Sequence, residues 1–133
     1  MTLGHSPIGH RTWVFPDGEI PPHDPFDARL KNSEVHGHES LVVLNPNPCA
    51  VQPRLHVYFT ARDPWEIPLP EISPNRVVCY RMDEPIGLDS VKIPDEQYAL
   101  VLRCNEPVVA QIGRMDIRQP NLAYYTVMGF PAD

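Results

Sequence analysis

Asn105-Glu106-Pro107-Val108-Val109-Ala110-Gln111-Ile112-Gly113-Arg114-Met115-Asp116-Ile117-Arg118-Gln119 is the stretch on which the reading of this chain turns. Asn-Glu-Pro is a turn signal, so the stretch predicts a turn followed by a strand over 107–115. Within that strand Gln111 lies between Ala110 and Ile112. Arg114, Asp116 and Arg118 are spaced by two, and on a continuous strand such residues project to one face. A row of Arg, Asp and Arg amid apolar neighbours has two readings. It is a ladder that satisfies itself, at a subunit interface for example, or it is the polar floor of a binding site.

Working outward, the same alternation recurs along the chain. Strands are expected at Thr12–Phe15, Glu39–Asn45, Val51–Thr60, Trp65–Ile72, Arg76–Met82, Gln97–Cys104, Pro107–Met115 and Leu122–Phe130. Turn residues separate them, with Pro16-Asp17-Gly18-Glu19, Pro46-Asn47-Pro48 and Ala61-Arg62-Asp63-Pro64 as the clearest cases. Phe26–Asn32 reads as loop, and Asp83–Pro94 as loop with one helical turn near Leu88. The 17 prolines are scattered rather than tandem, which excludes long helices and a polyproline linker. Short strands at regular spacing without crossover helices predict an antiparallel all-β sandwich or barrel. With 133 residues this is one domain, over 9–130, after a ragged terminus at 1–8.

The net charge is −6, and the only lysines are Lys31 and Lys92, so general affinity for nucleic acid is not expected. No signal peptide opens the sequence, and no apolar run approaches the ~20 residues that span a bilayer. A cytoplasmic protein is expected. Of Cys49, Cys79 and Cys104, the last two sit in apolar strand-like runs and are expected to be buried free thiols.

Four segments in order carry a family resemblance: Trp13 with Gly18-Glu19-Ile20-Pro21-Pro22; His38-Glu39 through Leu44-Asn45; Val57-Tyr58-Phe59 through Asp63-Pro64; and Pro107-Val108-Val109 with Gln111, Arg114-Met115-Asp116 and Arg118-Gln119. Together they resemble the soluble transducer of the Anabaena-type sensory rhodopsin and its bacterial relatives. The resemblance implies a single-domain β-sandwich of jelly-roll type, assembled as a homotetramer and without enzymatic activity. It further implies either a module for a small, sugar-like molecule or a signalling adaptor on a membrane receptor such as a sensory rhodopsin.

Among chemistries, catalysis finds little support. Ser33, Ser40, Ser73 and Ser90 lie in no nucleophile elbow, and Asp83-Glu84 and Asp95-Glu96 read as solvated charge in turns. His36-x-His38 can bring two imidazoles together, with His56, His23 or Asp24 as a third ligand, yet surface histidines are the plainer reading. No metal and no cofactor are expected. A sugar or carboxylate site wants bidentate donors, an acceptor and an apolar platform. The candidates are Trp13, Asn45, Gln111, Arg114, Asp116 and Arg118, with Trp13 as platform or as core. His38 and Glu39 support them, Glu39 by pairing with an arginine across the sheets. Trp65, with Ile67 and Leu69 on one face, is expected to serve subunit packing or the core.

Overall fold

The computed structural model describes residues 7–24, 36–118 and 122–133. Eight strands follow one another: β1 (His10–Gly18), β2 (His38–Asn45), β3 (Pro53–Phe59), β4 (Trp65–Pro68), β5 (Arg76–Arg81), β6 (Tyr98–Asp116), β7 (Ala123–Met128) and β8 (Phe130–Pro131). All pairings are antiparallel. No helix occurs among the described residues, and so none is long and apolar enough to cross a membrane.

The chain forms two layers that share one strand. One layer runs β4-β3-β6-β1-β8. The other is β5-β2-β6-β7. The first half of β6 pairs with β1 and β3, and the second half with β2 and β7. The sheet does not close into a barrel, so the expected antiparallel sandwich is what forms.

The expected break at Asn105-Glu106-Pro107 is absent: β6 is one strand of 19 residues. The turn chemistry is realised as a bulge instead. His10 pairs with Val108 and Thr12 with Arg103, so a short step of β1 faces a longer excursion of β6. Pro107 has no amide hydrogen to offer a ladder, which suits the point where a strand leaves one sheet for the other. The turn expected at Pro16–Glu19 likewise lies inside a strand, since β1 runs on to Gly18. Near Leu88 the chain makes one hydrogen-bonded turn rather than a helix, the amide of Ser90 donating to the carbonyl of Gly87 at 3.2 Å, between Ile86 and Val91, which close a small bridge; Gly87 is at φ 83°. The Phe26–Asn32 loop lies outside the described residues.

Alternation fixes what faces inward. On β6 the buried positions are Tyr98, Leu100, Leu102 and Cys104, then Val108, Ala110, Ile112 and Arg114. On β2 they are Glu39, Leu41, Val43 and Asn45. Trp13, Phe15, Leu55 and Val57 fill the space between the layers. Ile67 and Leu69 are core, and the partly buried Trp65 packs edge-on against Phe59 at its rim. Cys104 is buried as expected, and burial pushes its thiol up to about 12. Cys79 is exposed, contrary to expectation, because it stands on the outward face of β5.

Candidate functional site

The inward rows of β2 and β6 each end in a charge. Glu39 and Arg114 are opposite one another in register. Arg114 Nε donates to Glu39 Oε2 at 2.7 Å. The Tyr98 hydroxyl, from the other layer, donates to Glu39 Oε1, and the amide of Glu19 reaches Oε2 at 3.4 Å. Glu39 is 0 % exposed and Arg114 8 %. Burial raises the Glu39 carboxyl to about 6 even though Arg114 draws it down. Burial disfavours the charge on Arg114 too, but there the hydrogen bond that Arg114 donates to Glu39 wins and the guanidinium is held above its ordinary range. At neutral pH the pair is ionised. It lies within one sheet, between neighbouring strands, rather than across the two.

Asp116 does not bridge two arginines. Among the described residues its carboxylate is taken by Arg118 alone, through the Arg118 amide at 2.9 Å and Nε at 3.0 and 2.9 Å. That contact holds the Asp116 carboxyl below its usual range. Arg118 lies beyond the end of β6, and the row of three is thereby divided. Arg114 belongs to the interior, while Asp116 and Arg118 form a clamp at its edge.

Arg118 opens onto a cleft of about 520 Å³. Glu19, Asp83, Glu84 and Asp95 supply carboxylates to it, Arg118 and Lys92 supply cations, and Ile20, Pro21 and Pro22 form an apolar wall. Arg118 Nη1 is 3.4 Å from Glu19 Oε1. Asp83 is not the solvated charge the sequence predicts. Its side chain is 9 % exposed and accepts from Arg81 Nε at 2.8 Å and Nη2 at 2.7 Å. Burial would raise this carboxyl, but the Arg81 contacts outweigh it and the group is held low. Sequence reasoning did not gather Glu19, Asp83, Lys92 and Asp95, because they come from two connections, one after β1 and one between β5 and β6, whose meeting only the topology decides.

The remaining candidates lie elsewhere. Trp13 is core, 6 % exposed, with its ring Nε1 donating to the carbonyl of Val108 at 2.8 Å; it presents no face to a ligand. Asn45 is fully buried and ties a loop, its Nδ2 lying 2.9, 3.1 and 3.0 Å from the carbonyls of Cys49, Ile72 and Ser73. Gln111 is on β6 in the alternate set from Arg114, so it faces away from it. His38 Nδ1 lies 2.9 Å from the carbonyl of His36. His56 stands on β3 beside Glu66, in the other layer from β2.

A second concavity of about 160 Å³ lies where the two layers part. Tyr125 and Val127 share the inward face of their sheet with Arg114 and Ile112, their register partners, yet both are exposed. Phe15, Phe130 and Asp17 complete the groove, and the Arg114 guanidinium carbon sits 5.5 Å from the centre of the Tyr125 ring.

Fold and site together define a small β-sandwich module with a polar cleft on one flank and an apolar groove at an open edge. The family model described as Anabaena sensory rhodopsin transducer matches residues 8–131, and the chain belongs to that family. Among solved structures, that titled "Crystal Structure of Thermotoga maritima 1070" is 28 % identical with a TM-score of 0.76, covering 94 % of this chain and 97 % of that one. The Anabaena sensory rhodopsin transducer itself is 23 % identical with a TM-score of 0.61, covering 80 % of this chain and 83 % of its own, a likeness of fold. No curated protein matches the chain.

Proposed function

We propose that the protein is a non-enzymatic, cytoplasmic module that binds a small polar molecule, of sugar or sugar-acid type, in the cleft beside Arg118. The observation that carries this reading is the cleft's lining: cations and carboxylates together with an apolar wall. A polyol needs both donors and acceptors, and a guanidinium pinned by Asp116 loses little freedom on accepting a ligand. Size favours the same choice. A cleft of about 520 Å³ falls in the range of small-molecule sites, whereas the groove of about 160 Å³ lies below it. The buried Glu39–Arg114 pair then serves as a support. Free cysteines at all three positions suit a reducing compartment.

The test is a thermal-shift screen of sugars, sugar acids and small carboxylates. A ligand that binds only the folded state adds about 2.7 kcal/mol at a hundredfold excess over Kd. A saturable rise that disappears in Arg118→Ala supports the reading; a rise that survives in it places the site elsewhere.

A second reading, a signalling adaptor, is favoured by the exposed β7–β8 surface. Tyr124, Tyr125, Val127, Met128 and Phe130 are all exposed, Phe130 by 68 %. Of these, Tyr125, Val127, Met128 and Phe130 line one groove, and contiguous exposed apolar surface of this kind marks a protein contact. Its occupant is a second copy of the chain, as in a homotetramer, or a receptor of the kind that the name of the Anabaena transducer states. Capture of a membrane receptor by the intact protein, lost on replacing Phe130 by Ser, is the result this reading requires.

A further inference from the structure

His23, Asp24 and His36 each offer a ligand atom, and these atoms lie within 4.8 Å of one another. The sequence pattern His36-x-His38 points to a different pair. The two segments are brought together by a backbone clasp, in which the amide of Gly37 donates to the carbonyl of His23 at 3.0 Å. Only glycine permits it, since a Cβ at position 37 would run into the carbonyl of Pro22. The clasp sets the imidazoles of His23 and His36 face to face, 4.4 Å between centres and 3° from parallel. The Asp24 carboxylate stands 3.9 Å from Nδ1 of His36.

We propose that His23, Asp24 and His36 form a binding site for a divalent transition metal ion such as zinc, nickel or cobalt. Two imidazoles and one carboxylate are a donor set these ions accept, and three protein ligands with solvent completing the shell is the composition of an open site. Donor atoms around zinc sit roughly 3.3 Å apart when each bond is about 2.1 Å. The three side chains are exposed; to share one ion the two stacked rings turn out of parallel so that their lone pairs converge, and the donor atoms close by the remaining fraction of an ångström to an ångström and a half. Asp83 stands 4.0 Å from Nδ1 of His23 and is itself anchored by Arg81. At that distance it makes no hydrogen bond, and it is placed to become the outer carboxylate of a ligating imidazole once His23 turns toward it. His23 and Asp83 both also line the polar cleft, so the ion sits at the end of that cleft. Because the ligands come from positions 23–24 and 36, the ion ties the two ends of the intervening segment.

The inference stands apart from the ligand reading above, and the experiment uses metal alone. Cobalt(II) is titrated into the full-length, metal-free protein and followed by visible absorption, with zinc(II) then competed by isothermal titration calorimetry. One equivalent with a micromolar Kd is expected. His23→Ala and His36→Ala, both surface changes, should each weaken it by more than the tenfold to hundredfold typical of outer-shell changes, and Asp83→Asn should fall in that range. Circular dichroism verifies that each variant remains folded. No binding at one equivalent, or binding of equal strength in His23→Ala and His36→Ala, overturns the proposal.

Discussion

Glu39 and Arg114 face each other across β2 and β6, and the charge that each buries is answered by the other at 2.7 Å. A buried pair of this kind adds modestly to stability when intact and costs much when halved, because the surviving charge has no solvent. Arg114→Ala is expected to destabilise the protein by about 3–5 kcal/mol in urea unfolding. Removing both charges at once with Glu39→Leu and Arg114→Met should recover most of that loss. A double variant as unstable as the single one would mean that shape, not charge, dominates there.

The same carboxyl sets a pH dependence. The groups that face Glu39 are Arg114, the Tyr98 hydroxyl, the Glu19 amide and, at longer range, Asp17. Its folded value of about 6 lies above the ordinary 4.5. The folded state therefore holds the proton more tightly than the unfolded state does. The stability this group contributes is fully present below pH 4.5 and is lost as pH rises through about 6. The difference is about 2 kcal/mol. Carboxyls held low, Asp83 and Asp116 among them, oppose it at the acid end. Comparison with Glu39→Gln isolates the effect. The stability gap between parent and variant should change by about 2 kcal/mol between pH 4.5 and 7, and a constant gap would contradict it.

Asn45 gives a third prediction. Its amide nitrogen faces three carbonyls, while its oxygen accepts from the amide of Asn47 at 2.9 Å and from Asn47 Nδ2 at 2.8 Å. Asn45→Ala should cost about 3 kcal/mol, since several buried acceptors lose their donor together. Asn45→Asp is nearly isosteric but should cost more, because a carboxylate would confront three carbonyl oxygens. Chemical denaturation orders the two variants.

Tyr80 predicts the opposite sign. Its hydroxyl is buried and has no hydrogen-bond partner among the described residues, and burial pushes its ionisation far above the ordinary range. Tyr80→Phe removes a desolvated polar group while keeping the ring. It should be neutral or stabilising by about 1 kcal/mol, read as a raised Tm.

The exposed β7–β8 surface is tested by mass in solution. Val127→Lys with Phe130→Ser should convert any assembly into a species near the 15.1 kDa of one chain in light scattering. An unchanged mass would move the subunit contact to another face.

The sandwich was legible because alternation is a property of neighbouring residues, and every strand expected from it has a counterpart. Boundaries failed where turn chemistry met a strand that tolerates it. Asn105-Glu106-Pro107 reads as a stop, and its meaning as a bulge depends on β1 running past it. The spacing of Arg114, Asp116 and Arg118 reads as one row on one face, and the structure divides it, Arg114 with Glu39 and Asp116 with Arg118. The spacing was silent on burial, which arises from Glu39 being opposite Arg114 and from Tyr98 reaching over from the other layer. Asn45 and Trp13 show the same limit: both look like site residues as letters, and both spend their polar atoms on backbone carbonyls. The meeting of His23, Asp24 and His36 depends on a single glycine at 37, whose importance no local pattern discloses.

β6 occupies positions 98–116 and supplies partners to β1, β2, β3 and β7. During synthesis the chain thus emerges in an awkward order. Before residue 98 leaves the ribosome, the β3–β4 hairpin and the β2–β5 pair can assemble, but each keeps a naked edge that no nascent segment can cover. Only with residues 98–116 does the seam that closes both layers arrive. The interval just before it is when this protein most needs shielding from its neighbours in a crowded polysome.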